Sequence, residues 1–174
     1  MNSSLTSLFD KPVIGALCFI QTLPASDISH ELINWLKDSE VNKYLEVKKE
    51  NIDLPKQENY VSKINKSANS VYLGIYDLDF KILIGSSILR KLNDKPDSIS
   101  IGIMIGNKQF WGKKYGSEVL NLVSSQLSIA GYRFLIAGVH PNNKPSISLF
   151  TRNGFIRNSG EMCNPQTFIR SLNQ

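Results

Sequence analysis

Ile105-Gly106-Asn107-Lys108-Gln109-Phe110-Trp111-Gly112-Lys113-Lys114-Tyr115-Gly116-Ser117-Glu118 decides how this chain is read. Upstream of it, residues 98–106 (SISIGIMIG) alternate with Ile99, Ile101, Ile103 and Ile105 on one side, the period of a strand. Downstream, residues 115–130 carry Leu120, Val123, Leu127 and Ala130 at helical spacing. A lysine-rich loop with glycines therefore leaves a strand and opens directly into a helix. The first turn of such a helix has unpaired N–H groups at the positive end of the dipole, which suits a pyrophosphate. Lys108, Lys113 and Lys114 add charge attraction. An ordinary strand-to-helix turn has the same spacing, so spacing alone leaves both readings open.

Two known phosphate motifs can be tested here. A Walker loop needs Ser or Thr after Gly-Lys to hold magnesium, but Lys114 follows Gly112-Lys113. A dinucleotide fingerprint needs G-x-G-x-x-G, and Gly112 to Gly116 has neither interval. Both fail.

Working outward, residues 71–76 and 81–89 read as strands joined by Asp77-Leu78-Asp79-Phe80, and 93–96 as a turn into the central strand. Residues 134–139 read as a strand and 144–152 as a short helix. Strands return from Phe155 and end at 167–172. Toward the N-terminus, 13–21 reads as one strand, and Asp27 can cap a helix burying Ile28, Leu32, Ile33 and Leu36. A second short helix is expected after Ser39, using Val41, Tyr44 and Leu45. A third starts at Asp53-Leu54-Pro55, with Val61 and Ile64 inward. The order predicts a mixed α/β domain with an antiparallel hairpin and a parallel crossover through the helix at 115–130. No repeat or linker divides residues 1–174, so one domain is expected.

Composition narrows the functional classes. With 174 residues, 41% hydrophobic and 20% charged, the chain is neither disordered, collagenous nor a coiled coil. Its longest apolar run, 13–20, is far short of a bilayer span. No basic cluster precedes that run and no small-x-small site follows it, so a buried strand is expected rather than a signal segment. Cys18 and Cys163 are too few and too far apart for a disulfide framework or a zinc site; a reducing cytoplasm and no metal are expected. The net charge of +5 is compatible with polyanionic partners without choosing among them. With no run of five like charges and no recognition-helix motif, neither nucleic acid nor a membrane is expected as partner.

The segment WGKKYGSEVL resembles the acyl-coenzyme A loop of the GNAT acetyltransferases, whose pattern is Gln/Arg-x-x-Gly-x-Gly/Ala. It is most similar to the branch of ribosomal-protein N-terminal acetyltransferases, where the loop reads Trp-Gly-Lys-Gly-Tyr-Gly/Ala-Thr-Glu. Trp111 holds the Gln/Arg position, and Gly112, Lys113, Tyr115, Gly116, Ser117 and Glu118 match. Lys114 stands where the family has its middle glycine, a position that matters if it needs positive φ. Residues 140–155 resemble the family's Asn-x-x-Ser/Ala…Gly-Phe segment through Asn143, Ser146, Gly154 and Phe155. SISIGIMIG resembles its central strand, whose splayed end, here Met104 and Ile105, pairs with pantetheine. Trp35 to Leu45 resembles the branch's acceptor-side helices.

The resemblance implies a single-domain α/β fold with N-terminal helices. It also implies acetyl-CoA as donor and direct transfer to an amine without a covalent enzyme intermediate. Its implied cofactor contacts are Met104, Ile105, Trp111, Gly112, Lys113, Lys114, Tyr115, Gly116, Ser117, Asn143 and Ser146. A monomer or homodimer acting on a small-molecule amine is expected. The stretches NWLKDSEVNKYLEV and VHPNN are similar to relatives in bacterial surface-polysaccharide synthesis, implying a nucleotide-linked amino sugar as acceptor. A protein N-terminus or an aminoglycoside-like drug is the alternative.

Two family positions lack their acid–base groups: Ser100 replaces a Glu on the central strand, and Phe150 replaces a Tyr. A thiol leaves with limited help, so the second loss is tolerable. The base then falls to His140, which follows strand 134–139 at the cleft end and has a suitable ordinary pKa. Glu46 is next in line. Ser100, Phe150 and Lys114 also keep open a non-catalytic acyl-CoA-binding domain.

Overall fold

The structure, a computed structural model, describes residues 4–45, 52–158 and 165–172. Its strands are β1 (Val13–Ile14), β2 (Cys18–Thr22), β3 (Ser70–Asp77), β4 (Leu83–Leu92), β5 (Lys95–Ile105), β6 (Phe134–Val139), β7 (Ile156–Arg157) and β8 (Gln166–Ser171). They form one mixed sheet in the order β1-β2-β3-β4-β5-β6-β8-β7. The helices are α1 (His30–Lys37), α2 (Leu54–Lys66), α3 (Tyr115–Ile129) and α4 (Lys144–Arg152).

Alternation along the strands makes two cores. Val71, Leu73 and Ile75 of β3 point to one face, where Val119, Leu120, Val123 and Leu127 of α3 and Phe150 of α4 pack. Tyr72, between them, points to the other face with Leu32, Ile33, Trp35 and Leu36 of α1 and Val61 of α2. Phe9, in a short 3-10 turn at Thr6–Phe9, and Leu5, which precedes it, are fully buried in the α3 core.

Every other junction in the sheet is antiparallel; β5 and β6 run parallel, with α3 as the crossover. Their ladder holds only Ser98↔Phe134, Ile99↔Leu135 and Ser100↔Ile136. Past Ser100 the two strands diverge, leaving a wedge between the end of β5 and the end of β6.

Four local expectations are corrected. The stretch 13–21 is a tight hairpin rather than one strand: Gly15 N–H donates to Cys18 O, and β1 folds back on β2. The cap of α1 is Ser29, whose hydroxyl accepts from Leu32 N–H, because Ala25–Asp27 forms a separate 3-10 turn ending in extended Ile28. No helix follows Ser39 within residues 38–45. There the Asp38 carboxylate accepts from the N–H groups of Glu40 and Val41, a local competition that breaks helical bonding. Finally, Leu92 pairs with Lys95, so the β4–β5 hairpin turns on Asn93-Asp94 and Pro96 lies inside β5. Asp53 caps α2 as expected, accepting from Lys56 N–H at 2.9 Å, with Pro55 in the first turn.

Candidate active site

The loop between β5 and α3 is shaped by three anchored side chains. Trp111 donates its indole N–H to Ile105 O at 2.7 Å, folding the loop back on the strand end. Lys108 reaches across to the turn after α1, pairing with Asp38 at 2.9 Å and Glu40 at 2.7 Å. Those bonds hold the Asp38 carboxyl below its ordinary range and push the Lys108 ammonium up. Below the strand end, the Trp35 indole lies so close to Gly106 that a Cβ there would sit 2.1 Å from the ring. The central strand therefore ends in glycine because a buried tryptophan occupies the side-chain space.

Gly112 has φ +73° and Lys114 has φ +69°, both left-handed. Lys114 is the cap residue of α3, and no side chain caps the helix. Position 114 does need the positive φ that a glycine adopts freely, and a lysine holds it at a cost of roughly 1–2 kcal/mol. What this achieves is an open helix end: the first-turn N–H groups of Tyr115, Gly116 and Ser117 face outward with no capping acceptor. Among the described residues neither Lys113 nor Lys114 has a carboxylate within ion-pair distance, so both charges remain available at that end. Gly116 lets α4 approach, since a Cβ would stand 3.0 Å from Leu149 Cδ2.

The first turn of α3 is locked from behind. Tyr115 donates its hydroxyl to Asp77, at the end of β3, at 2.5 Å. Burial, that bond and the Asp77 charge push the Tyr115 hydroxyl up to about 12. Burial works against ionised Asp77, but bonds from Tyr115 and from the N–H groups of Phe80 and Asp79 prevail and hold its carboxyl low. The Glu118 carboxylate accepts from the N–H groups of Ala16 and Leu17, pinning the β1–β2 turn. Cys18, buried beside these carboxylates, has its thiol pushed up to about 12, first by burial and then by Glu118 and Asp77. Sequence reasoning met Asp77 only as a turn residue and Glu118 only as a motif letter. Nothing local marks either one, because their partners lie 38 and 102 positions away.

On the opposite side of the wedge, Asn143 caps α4, its side-chain oxygen accepting from Ser146 N–H at 3.2 Å. The Asn143 amide NH2 and the Ser146 hydroxyl remain for a ligand. His140, just past β6, accepts at Nδ1 from Asn142 N–H at 3.1 Å and lies against Tyr44 with ring centroids 5.2 Å apart. That bond occupies Nδ1 and leaves Nε2 as the ring nitrogen open to a ligand. Glu46, the second candidate, lies outside the described residues. Ser100 donates to Arg90 O at 3.3 Å, and Phe150 is buried against Phe155 and Phe168. Neither does acid–base work. Met104 is buried on the α1 face, and Ile105 gives its carbonyl to Trp111. Among the described residues no three His, Cys, Asp or Glu gather as a metal site, and no helix is long and apolar enough to cross a membrane.

A mixed sheet split beside its central strand, with an uncapped helix end facing the split, defines the acetyltransferase class of α/β folds. The acetyltransferase (GNAT) domain family matches residues 19–156, and the chain belongs to it. A solved domain from Methanocaldococcus jannaschii superposes with TM-score 0.75 at 25% identity, over 88% of this chain and 97% of that one. The GNAT-family acetyltransferase from Bacillus anthracis gives 0.77 at 17% identity, over 94% and 100%. A GCN5-related N-acetyltransferase from Brucella melitensis gives 0.72 at 18%, over 92% and 77%. These last two share the fold. An uncharacterized protein of Methanocaldococcus jannaschii is 39% identical over 72 residues, which are 41% of this chain and 14% of that protein. This chain thus corresponds to a small part of that relative's length.

Proposed function

We propose that the chain transfers an acetyl group from acetyl-CoA to a primary amine by direct attack, with a nucleotide-linked amino sugar as acceptor. The observation that carries this reading is the uncapped first turn of α3 beside the β5–β6 wedge. A pyrophosphate fits the free N–H groups and the charges of Lys113 and Lys114, and an amide-bearing arm fits alongside β5. The family uses acetyl-CoA, and bound there it supplies a thioester carbonyl to which the amine adds before the carbon–sulfur bond breaks.

The chain's own residues then divide the work. Met104 and Ile105 offer backbone groups along the arm. Trp111, Gly112, Lys113, Lys114, Tyr115, Gly116 and Ser117 hold the pyrophosphate, and Asn143 with Ser146 hold the opposite wall. His140 presents Nε2–H to negative charge developing on oxygen or sulfur. The amine's proton passes to water or to Glu46. Support for a nucleotide sugar comes from the Tyr44–His140 ring pair, an aromatic surface at the acceptor side on which a base or sugar ring can lie.

A second reading, an acyl-CoA-binding regulatory domain without turnover, is favoured by the inert environments of Ser100 and Phe150. Free-thiol release from acetyl-CoA across amino-sugar nucleotides, small amines and N-terminal peptides separates them. Turnover is expected with an amino-sugar nucleotide. Binding of acetyl-CoA with no release for any acceptor supports the second reading, and no binding overturns both.

A further inference from the structure

Lys108 belongs to the loop whose lysines are expected to attract a pyrophosphate, yet its ammonium sits between two carboxylates. Its Nζ is 2.9 Å from Asp38 and 2.7 Å from Glu40, and 5.9 Å from the centre of the Trp111 ring. One ammonium held by two carboxylates adds no net attraction for a further anion.

Asp38 and Glu40 open the turn after α1, residues 38–45, which is bonded within itself. The Asp38 carboxylate accepts from the N–H groups of Glu40 and Val41. Asp38 O accepts from Asn42 N–H at 2.9 Å, and Asn42 O accepts from Leu45 N–H at 3.0 Å. The buried Asn42 amide donates to Leu36 O at 2.8 Å. Toward its far end the turn lays the Tyr44 ring against His140. One short bonded segment therefore touches both sides of the wedge: the β5–α3 loop through Lys108, and the end of β6 through His140.

We propose that Lys108 is a positioning residue for the acceptor, its double ion pair holding residues 38–45 across the wedge and so keeping Tyr44 against His140. This role rests on the reading of the Tyr44–His140 surface as the acceptor side. Without the ammonium, Asp38 and Glu40 repel each other at the mouth of the wedge. Val41 and Leu45 still pack against the α1 core, so the chain keeps its fold while the turn loosens. His140 also keeps its bond from Asn142, so the loss falls on acceptor binding rather than on the chemical step.

The test compares wild type with Lys108→Met. Acetyl-CoA affinity, by calorimetry, is expected to stay within about twofold. The His140 ring-proton resonances should shift as the Tyr44 ring current is lost. With an acceptor that turns over, its KM should rise about tenfold while kcat stays within about threefold. Lys108→Arg should restore the resonances and the KM. Glu40→Lys, at an exposed carboxylate whose loss leaves the core untouched, should reproduce the Lys108→Met changes. Acetyl-CoA affinity lowered about tenfold in Lys108→Met overturns the proposal and returns Lys108 to the pyrophosphate. Unmoved His140 resonances overturn it too, as does a fall in kcat at unchanged acceptor KM. If no acceptor turns over, the acetyl-transfer reading fails, while the resonances and the donor affinity still decide whether Lys108 holds the turn.

Discussion

Tyr115, the first residue of α3, donates its hydroxyl to Asp77 at the far end of β3, 2.5 Å away. The helix whose uncapped N-terminus is the proposed phosphate site is thereby bolted to the sheet at that very turn. Bonds to a charged partner contribute roughly 1.5–3 kcal/mol, so Tyr115→Phe is expected to lower the melting temperature by several degrees near neutral pH. The effect has two limits. Asp77 has a depressed folded pKa, so its share is complete above the unfolded carboxylate range and is lost as pH falls through the folded value. Tyr115 has a raised one, so its share is complete below pH ~10 and is lost as pH rises through about 12. Thermal melts of wild type and Tyr115→Phe across pH should differ most between these limits and converge outside them.

Lys114→Gly relieves a left-handed lysine. Stability should rise by about 1 kcal/mol, or roughly 2–4 °C in a domain of this size. A drop in melting temperature would show that the lysine side chain contributes more than its backbone costs.

Gly116→Val should drive Leu149 of α4 outward and tilt the open helix end. Acetyl-CoA affinity is expected to fall at least tenfold, about 1.4 kcal/mol. Calorimetry with unchanged affinity would take the loop out of the site.

Asn143 is assigned two jobs that can be separated. Asn143→Ala should lose the α4 cap, costing about 1 kcal/mol, and weaken acetyl-CoA binding as well. Asn143→Asp keeps an accepting oxygen for Ser146 N–H, so its melting temperature should hold while binding still weakens. If Asn143→Asp binds normally, the residue only caps.

His140→Ala should reduce kcat by roughly 10²-fold with little change in acetyl-CoA affinity. If His140 acts as the proposed donor through Nε2, the ring nitrogen that the Asn142 bond leaves open, His140→Gln, whose amide reaches the same depth, should recover much of that loss. A glutamine variant as slow as alanine, with the low-pH limb of the kcat/KM profile abolished in both, would restore the general-base role.

The β3–β4 hairpin, the central strand with its parallel crossover, α2 and α3 were legible because their signals are periodic and local: alternating Ile99 to Ile105, helical Leu120 to Leu127, and Asp53 before Pro55. The family resemblance also identified the loop and position 114 as the place to look. Left-handed backbone at a lysine, however, has no sequence signal, since any residue can be forced there by its surroundings. The β1–β2 hairpin was illegible for a related reason. Its turn is held by Glu118 from another element, and only the folded chain brings that carboxylate to Ala16 and Leu17. The loss of helix after Ser39 was at least decipherable, because Asp38 is of the type that bonds its own following N–H groups.

The three-residue contact between β5 and β6 has a colloidal consequence. A strand in the middle of a sheet is normally shielded on both sides, yet β5 beyond Ser100 behaves on one side like an outermost strand. Such exposed borders are templates for another chain. On the proposed function, an acyl-donor arm seated in the wedge would double as a guard of this edge, and the empty chain would be the form more prone to stick to its own kind.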